Sequence, residues 1–179
     1  MTKFVQSLLE IAKKEVGVKE TGSSNRGPRV DEYQKATWLE QKDWGAWCAA
    51  FVCWCIREAI KETGTKETSG FKRPRTAGAW DYERWSLAQD STTQTRKPPG
   101  RDIQPGDLIV FKFSHIGIAQ SAPDKNGNFT TIEGNSNSKG SRTGGMVCEG
   151  NRNVSQVRSR IRFTNKNSEL FLIAPSQTV

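Results

Sequence analysis

The chain carries four cysteines and a single histidine, so thiol chemistry that needs an imidazole has one possible partner. Cys48, in Trp47-Cys48-Ala49-Ala50-Phe51, stands where an apolar helix is expected to begin. A helix N-terminus offers unpaired N–H groups and partial positive charge, which favour a thiolate and can stabilise an oxyanion. His115 lies in the strand-like run Leu108 to Ala119, where it could act as base towards the thiol and later protonate a leaving amine. Glu133 and Asn135 flank Gly134 at the end of the next strand-like segment. Either could accept from the second imidazole nitrogen and so fix the tautomer. Together they are the nucleophile, base and orienter of an acyl-transfer site. Singly, each has a plainer explanation: a buried helical cysteine, a histidine filling a strand, two turn residues.

The other cysteines read differently. Cys53 and Cys55 fall in the same predicted helix as Cys48, where cysteines close in sequence rarely meet disulfide geometry. Their spacing with His115 and Cys148 matches no common structural zinc pattern. Both are expected as small core side chains, and whether Cys148 is free or paired stays open.

The elements that must position these groups form two blocks. An amphipathic helix is predicted over residues 3 to 16, with Phe4, Val5, Leu8, Leu9, Ile11, Ala12 and Val16 near one face and Gly17 as its stop. Pro28 opens a short second helix carrying Val30, Tyr33 and Ala36, and a third runs from about Cys48 to Glu62, ended by Gly64. Thr76 to Trp85 holds a short helix, and polar, Pro-rich Asp90 to Arg101 is expected as a surface excursion. From Gly106 the pattern changes to period two, with strands at Leu108 to Phe113, His115 to Gln120, Phe129 to Glu133, Gly145 to Glu149, Val154 to Phe163 and Leu170 to Ala174. Asn126-Gly127 marks a hairpin turn. Helices first and antiparallel strands after give an α+β fold: N-terminal helices packed on a C-terminal antiparallel sheet of about five to six strands. One domain over residues 1–179 is expected, helical to about residue 85 and sheet over about 106–175.

Hydrophobic residues make up 34% and charged residues 26%, the balance of a soluble globular chain. No apolar run approaches the ~20 residues of a membrane span. Residues 1 to 15 break their apolar positions with Gln, Glu and Lys, unlike a secretory signal, so synthesis in the cytoplasm is expected. A net charge of +8 favours a polyanionic partner, whether nucleic acid, anionic lipid or anionic wall polymer, or simply a solvated basic surface. No glycine-rich phosphate loop is present.

The ordered combination resembles a family. Trp47-Cys48-Ala49-Ala50-Phe51-Val52, Gly106-Asp107-Leu108-Ile109-Val110-Phe111, His115-Ile116-Gly117-Ile118 and Ile132-Glu133-Gly134-Asn135 look like successive blocks of the CHAP family, the cysteine, histidine-dependent amidohydrolases/peptidases of cell-wall lysis. Glu15 to Glu20, Gly22 to Asn25 and Pro28 to Tyr33 are similar to its frequent N-terminal extension. The resemblance implies a papain-like α+β fold and cleavage of peptidoglycan amides by Cys48, with His115 as base, Glu133 as its orienter and Asn135 as a second polar support. Some members carry an Asp-rich calcium loop before the cysteine. Here that segment, Trp38 to Gly45, has only Glu40 and Asp43, so no metal and no cofactor are expected.

Trp44, Trp47 and Trp80 are candidates to line the substrate cleft. The expected partner is peptidoglycan rather than nucleic acid, with anionic wall or outer-membrane polymers drawn to the basic surface. A phage endolysin acting on the wall from the periplasm or outside is the first expectation. An amidase effector with an immunity protein, or a non-catalytic wall-binding module, are the alternatives. Which amide is cut depends on cleft shape and is not legible.

Overall fold

The computed structural model describes residues 1–22, 24–137, 139–141 and 143–164. Helix α1 (Lys3–Lys14) starts where the Thr2 side chain accepts from the Val5 N–H, and Lys13 and Lys14 complement its C-terminal dipole. Its apolar stripe is buried as predicted, except that the helix ends before Val16, which is 43% exposed. Helix α2 (Pro28–Gln34) opens on proline, whose missing N–H costs nothing at a first helical position.

Helix α3 (Cys48–Thr63) is the hub, buried on all sides of its first half from Cys48 to Ile56 and closed by Gly64 at φ 68. It packs on α1, α2 and the middle of the sheet. Helix α4 (Asp81–Leu87) lies later than the predicted Thr76 start, because Thr76 accepts from the Gly78 N–H and bonds Asp81, forming the turn that precedes the helix.

The sheet contains β1 (Thr93–Arg96), β2 (Leu108–Phe111), β3 (Ile116–Ala119), β4 (Asn128–Ser136), β5 (Met146–Asn153) and β6 (Val157–Phe163). Its order is β1-β6-β2-β3-β4-β5, antiparallel throughout. The fold is therefore α+β, with four α-helices and six strands among the described residues. One core lies between helices and sheet; a smaller cluster of Ile103, Ile109, Phe111, Ala119, Phe129 and Val157 covers the other face.

Three strand expectations need correction. Residues 93 to 96, expected in a surface excursion, form an edge strand on β6; Thr93 is buried against Ser86 of α4, which polar composition concealed. Val154–Gln156 is a 3-10 turn under an Asn153 capping box, so β6 starts only at Val157 and β5 runs on to Asn153. Strand β4 continues past Glu133 to Ser136 through a bulge in which Asn135 has φ 53. The predicted strand Leu170 to Ala174 lies outside the described residues.

Candidate active site

Cys48 is the first residue of α3, and no side chain caps that helix end. The first-turn N–H groups of a helix lack intrahelical partners, so this terminus keeps donors beside the thiol. Its position is set from behind. The indole of Trp47 is fully buried, donates to Glu20 Oε1 at 2.8 Å and packs on Tyr33 at 5.5 Å between centroids. Strand β4 comes so close to α3 here that a Cβ at Gly134 would meet Phe51 Cβ at 2.6 Å and Trp47 Cζ3 at 2.9 Å. Glycine at 134 is thus what lets the strand carrying Glu133 lie against the helix carrying Cys48.

His115 precedes β3 rather than lying in it. Ser114, at φ 56, turns the β2–β3 connection, and the Phe111 N–H donates to the His115 carbonyl at 2.9 Å. The ring is fully buried, with Phe111 and Phe113 stacked against it at 5.9 and 6.0 Å between centroids. Nε2 lies 2.8 Å from Glu133 Oε2. Nδ1 is buried with no hydrogen-bond partner among the described residues, and the thiol that acts on the ring is Cys48. One nitrogen is spent on the carboxylate and the other is left for the cysteine.

Glu133 has no exposed surface and receives hydrogen bonds from four side chains. Besides His115 these are Arg152, by Nε to Oε1 at 2.7 Å and by Nη2 to Oε2, Thr131 Oγ1 to Oε1, and Ser136 Oγ to Oε2 at 3.3 Å. Two glycines make the space: a Cβ at Gly117 would meet Glu133 Cγ at 2.7 Å, and one at Gly150 would meet Oε1 at 2.6 Å.

The electrostatics follow. Burial favours a neutral Glu133, yet Arg152 and then His115 outweigh it and hold the carboxyl down at about 2. Burial likewise favours a neutral imidazole, but Cys48 and Glu133 outweigh it and lift His115 to about 9. A protonated His115 between a carboxylate and a thiol can stabilise a thiolate and later return a proton.

Asn135 is 2% exposed and near Glu133 in sequence, but it does not bond His115; its Nδ2 has no partner among the described residues. The bulge explains this, since the left-handed Asn135 no longer shares the regular alternation of Glu133. Trp47 is corrected as a cleft residue: it is core. Trp80 is 44% exposed, donates to the Phe111 carbonyl at 3.0 Å and carries the Arg158 guanidinium on its face, which places it beside the hairpin of His115. Trp44 is half-buried, with Arg26 over its ring at 5.5 Å. All four cysteines are free and buried; Cys53 and Cys55 are core residues, as expected.

Sequence reasoning missed Arg152, Thr131 and the room-making Gly150. A signal existed for the first. In β5, Cys148, Gly150 and Arg152 are buried while Glu149 and Asn151 are exposed, and an arginine on the buried phase of an alternating strand requires a buried counter-charge.

The model of the CHAP domain family matches residues 39–135, more than half of the chain, and the protein belongs to that family of peptidoglycan amidases and peptidases. Among solved structures it is similar to the wild-type endolysin LysIME-EF1, at 16% identity and a TM-score of 0.53, covering 94% of this chain and 67% of that one. That likeness is one of fold. Curated proteins compared by sequence give no match. Among the described residues no helix is long and apolar enough to cross a membrane.

Proposed function

We propose that this protein is a peptidoglycan hydrolase in which the Cys48 thiolate attacks a wall amide. His115 protonates the leaving amine, and water then hydrolyses the acyl-enzyme with His115 as base. The observation that carries this reading is the divided histidine: Nε2 held by Glu133, Nδ1 left to the thiol at an uncapped helix start. Glu133 orients the ring. Asn135, with a buried and unspent Nδ2, serves as a second polar group of the site. Trp80 and Trp44 flank the approach. Residues 1–179 act as a single catalytic domain, a reading supported by the one core shared by all four helices and the sheet.

The bond is that between muramic acid and L-alanine, or one in the stem peptide or cross-bridge. A phage endolysin is the favoured setting, a reading supported by the similarity of the fold to that of the endolysin LysIME-EF1. An effector with an immunity partner is the alternative. The enzyme acts on the cell wall, where a net charge of +8 suits anionic wall polymers.

The test is the turbidity of purified peptidoglycan with wild type, Cys48→Ala and His115→Ala. Clearing by wild type alone is expected, and equal clearing by all three would overturn the proposal. Mass spectrometry of the fragments then identifies the bond, a free lactyl carboxyl with a free L-alanine amine marking an amidase.

A further inference from the structure

We propose that Arg152 is a positioning residue of the site, acting on His115 through Glu133. The inference rests on the hydrolase reading above, but its geometry stands by itself. Arg152 lies beyond the residues matched by the family model, on the strand that pairs with β4. Its side chain is 4% exposed, and its guanidinium grips both oxygens of Glu133 in a planar fork. A third nitrogen, Nη1, donates to the Gly140 carbonyl at 3.1 Å, tying the loop after β4 to the same group.

The guanidinium also lies over Phe111 at 5.0 Å and Phe113 at 5.3 Å. Those are the two rings that stack on His115. Arg152 therefore touches the imidazole's surroundings twice, through its carboxylate and through the aromatic pair beneath it. Gly150 supports the arrangement, because a side chain there would collide with Glu133 Oε1 and Thr131 Oγ1.

When His115 is protonated and Cys48 ionised, the site becomes a buried row of alternating charges: thiolate, imidazolium, carboxylate, guanidinium. A buried carboxylate facing only an imidazole would tend to take a proton as the pH falls. With a fixed guanidinium behind it the carboxylate stays ionised, and the imidazole keeps its partner. Lysine would supply the charge but not the fork.

The test uses the pH profile of lysis for wild type, Arg152→Lys and Arg152→Met, each also in a Glu133→Gln background. With Arg152→Met the acid limb is expected to move to higher pH, so lysis at pH 5 falls more than lysis at pH 8. Arg152→Lys should recover most of that shift. In the Glu133→Gln background, Arg152→Met should move the limb no further. Arg152→Met that lowers lysis equally at every pH, or that shifts the limb just as far without Glu133, overturns the proposal.

His115, as the chain's one histidine, gives a readout that needs no substrate. In its NMR titration, Arg152→Met should show a second inflection, from proton uptake by Glu133, at higher pH than in wild type. If wild type fails to clear peptidoglycan yet that inflection appears, the hydrolase reading falls and the role of Arg152 stands. If wild type lyses and the inflection does not move, the role of Arg152 falls alone. Should Arg152→Met not fold, the same titration of Arg152→Gln decides, since loss of the positive charge should still raise the Glu133 inflection, and no change from wild type overturns the proposal.

Discussion

Glu133 and Asp102 are both carboxylates held by arginine, and only Glu133 belongs to the proposed catalytic site. Asp102 receives Arg96 at 2.9 Å, Arg160 at 2.6 Å and Arg162 at 3.0 Å, and Arg162 also reaches Asp107 at 2.7 Å. Arg160 above all keeps the Asp102 carboxyl well below its usual range. Every donor side chain there is a guanidinium, which does not release a proton near neutral pH, so the cluster is a fixed charge lattice beside β1 and β6. Glu133 is equally well supplied, but one of its donors is an imidazole with a second nitrogen unspent. Carboxylates pinned by arginine are common structural devices; what makes one chemical is a titratable neighbour that faces a nucleophile.

The hardest test of this contrast is to remove the reacting groups. Cys48→Ala or His115→Ala is expected to lower lysis by about 10³-fold or more, since nucleophile and base act as a unit, with the melting temperature little changed for the cysteine variant. Initial rates of turbidity loss measure the first and thermal denaturation the second. Residual lysis within tenfold of wild type would place the chemistry elsewhere.

Glu133→Gln keeps the shape of the side chain and removes its charge. Lysis should fall by at least about tenfold. Its alkaline limb, expected near 9 in wild type, should move to lower pH, because one of the groups raising His115 is lost. The variant also leaves the buried Arg152 without a counter-charge, a loss of about 3–5 kcal/mol. An unmoved alkaline limb would remove Glu133 from its role as orienter.

Stability should report the same pair. His115 is raised to about 9, so its contribution is fully present below its unfolded value near 6.5 and is lost as pH rises through about 9. Glu133 is lowered to about 2, so its contribution is present above its unfolded value near 4.5 and is lost as pH falls through about 2. Both are whole between roughly pH 4.5 and 6.5. Melting temperature against pH should decline from pH 7 to 10 by the equivalent of a few kcal/mol in wild type and much less in His115→Ala. Parallel curves would separate the histidine from the pair.

What the sequence disclosed of these two networks differs in an instructive way. Cys48, His115 and Glu133 were legible because each sits in a short local pattern: a helix start, a strand edge, a strand end before glycine. Arg152 was not, for it meets Glu133 only through the pairing of β4 with β5, a long-range register that no local pattern specifies. The Asp102 cluster was hidden for the same reason, since Arg160 and Arg162 are brought to it by β6 lying between β1 and β2. Trp47 was misplaced because tryptophan serves cleft and core alike, and burial against Tyr33 and Gly134 is a tertiary fact. Edge strand β1 escaped because its polar residues carry little hydrophobic alternation, only Thr93 being buried.

The smallest expected effect is the control that completes the comparison. Asp102→Asn keeps a hydrogen-bond acceptor for Arg160 and removes the charge that three arginines share. Arg160 is 2% exposed and still bonds the Asp102 and Gln94 carbonyls and the Gln94 side chain, so its guanidinium is not orphaned. Arg96 and Arg162 reach water. A loss of about 1–2 kcal/mol is therefore expected, below the cost of stranding a fully buried ion. Lysis and its alkaline limb should match wild type at temperatures where the variant is folded, because no titratable neighbour of Asp102 faces Cys48. If Asp102→Asn moved the alkaline limb as Glu133→Gln is expected to, the two networks would be coupled across β2 and β3, and the division between a fixed lattice and a working one would fail.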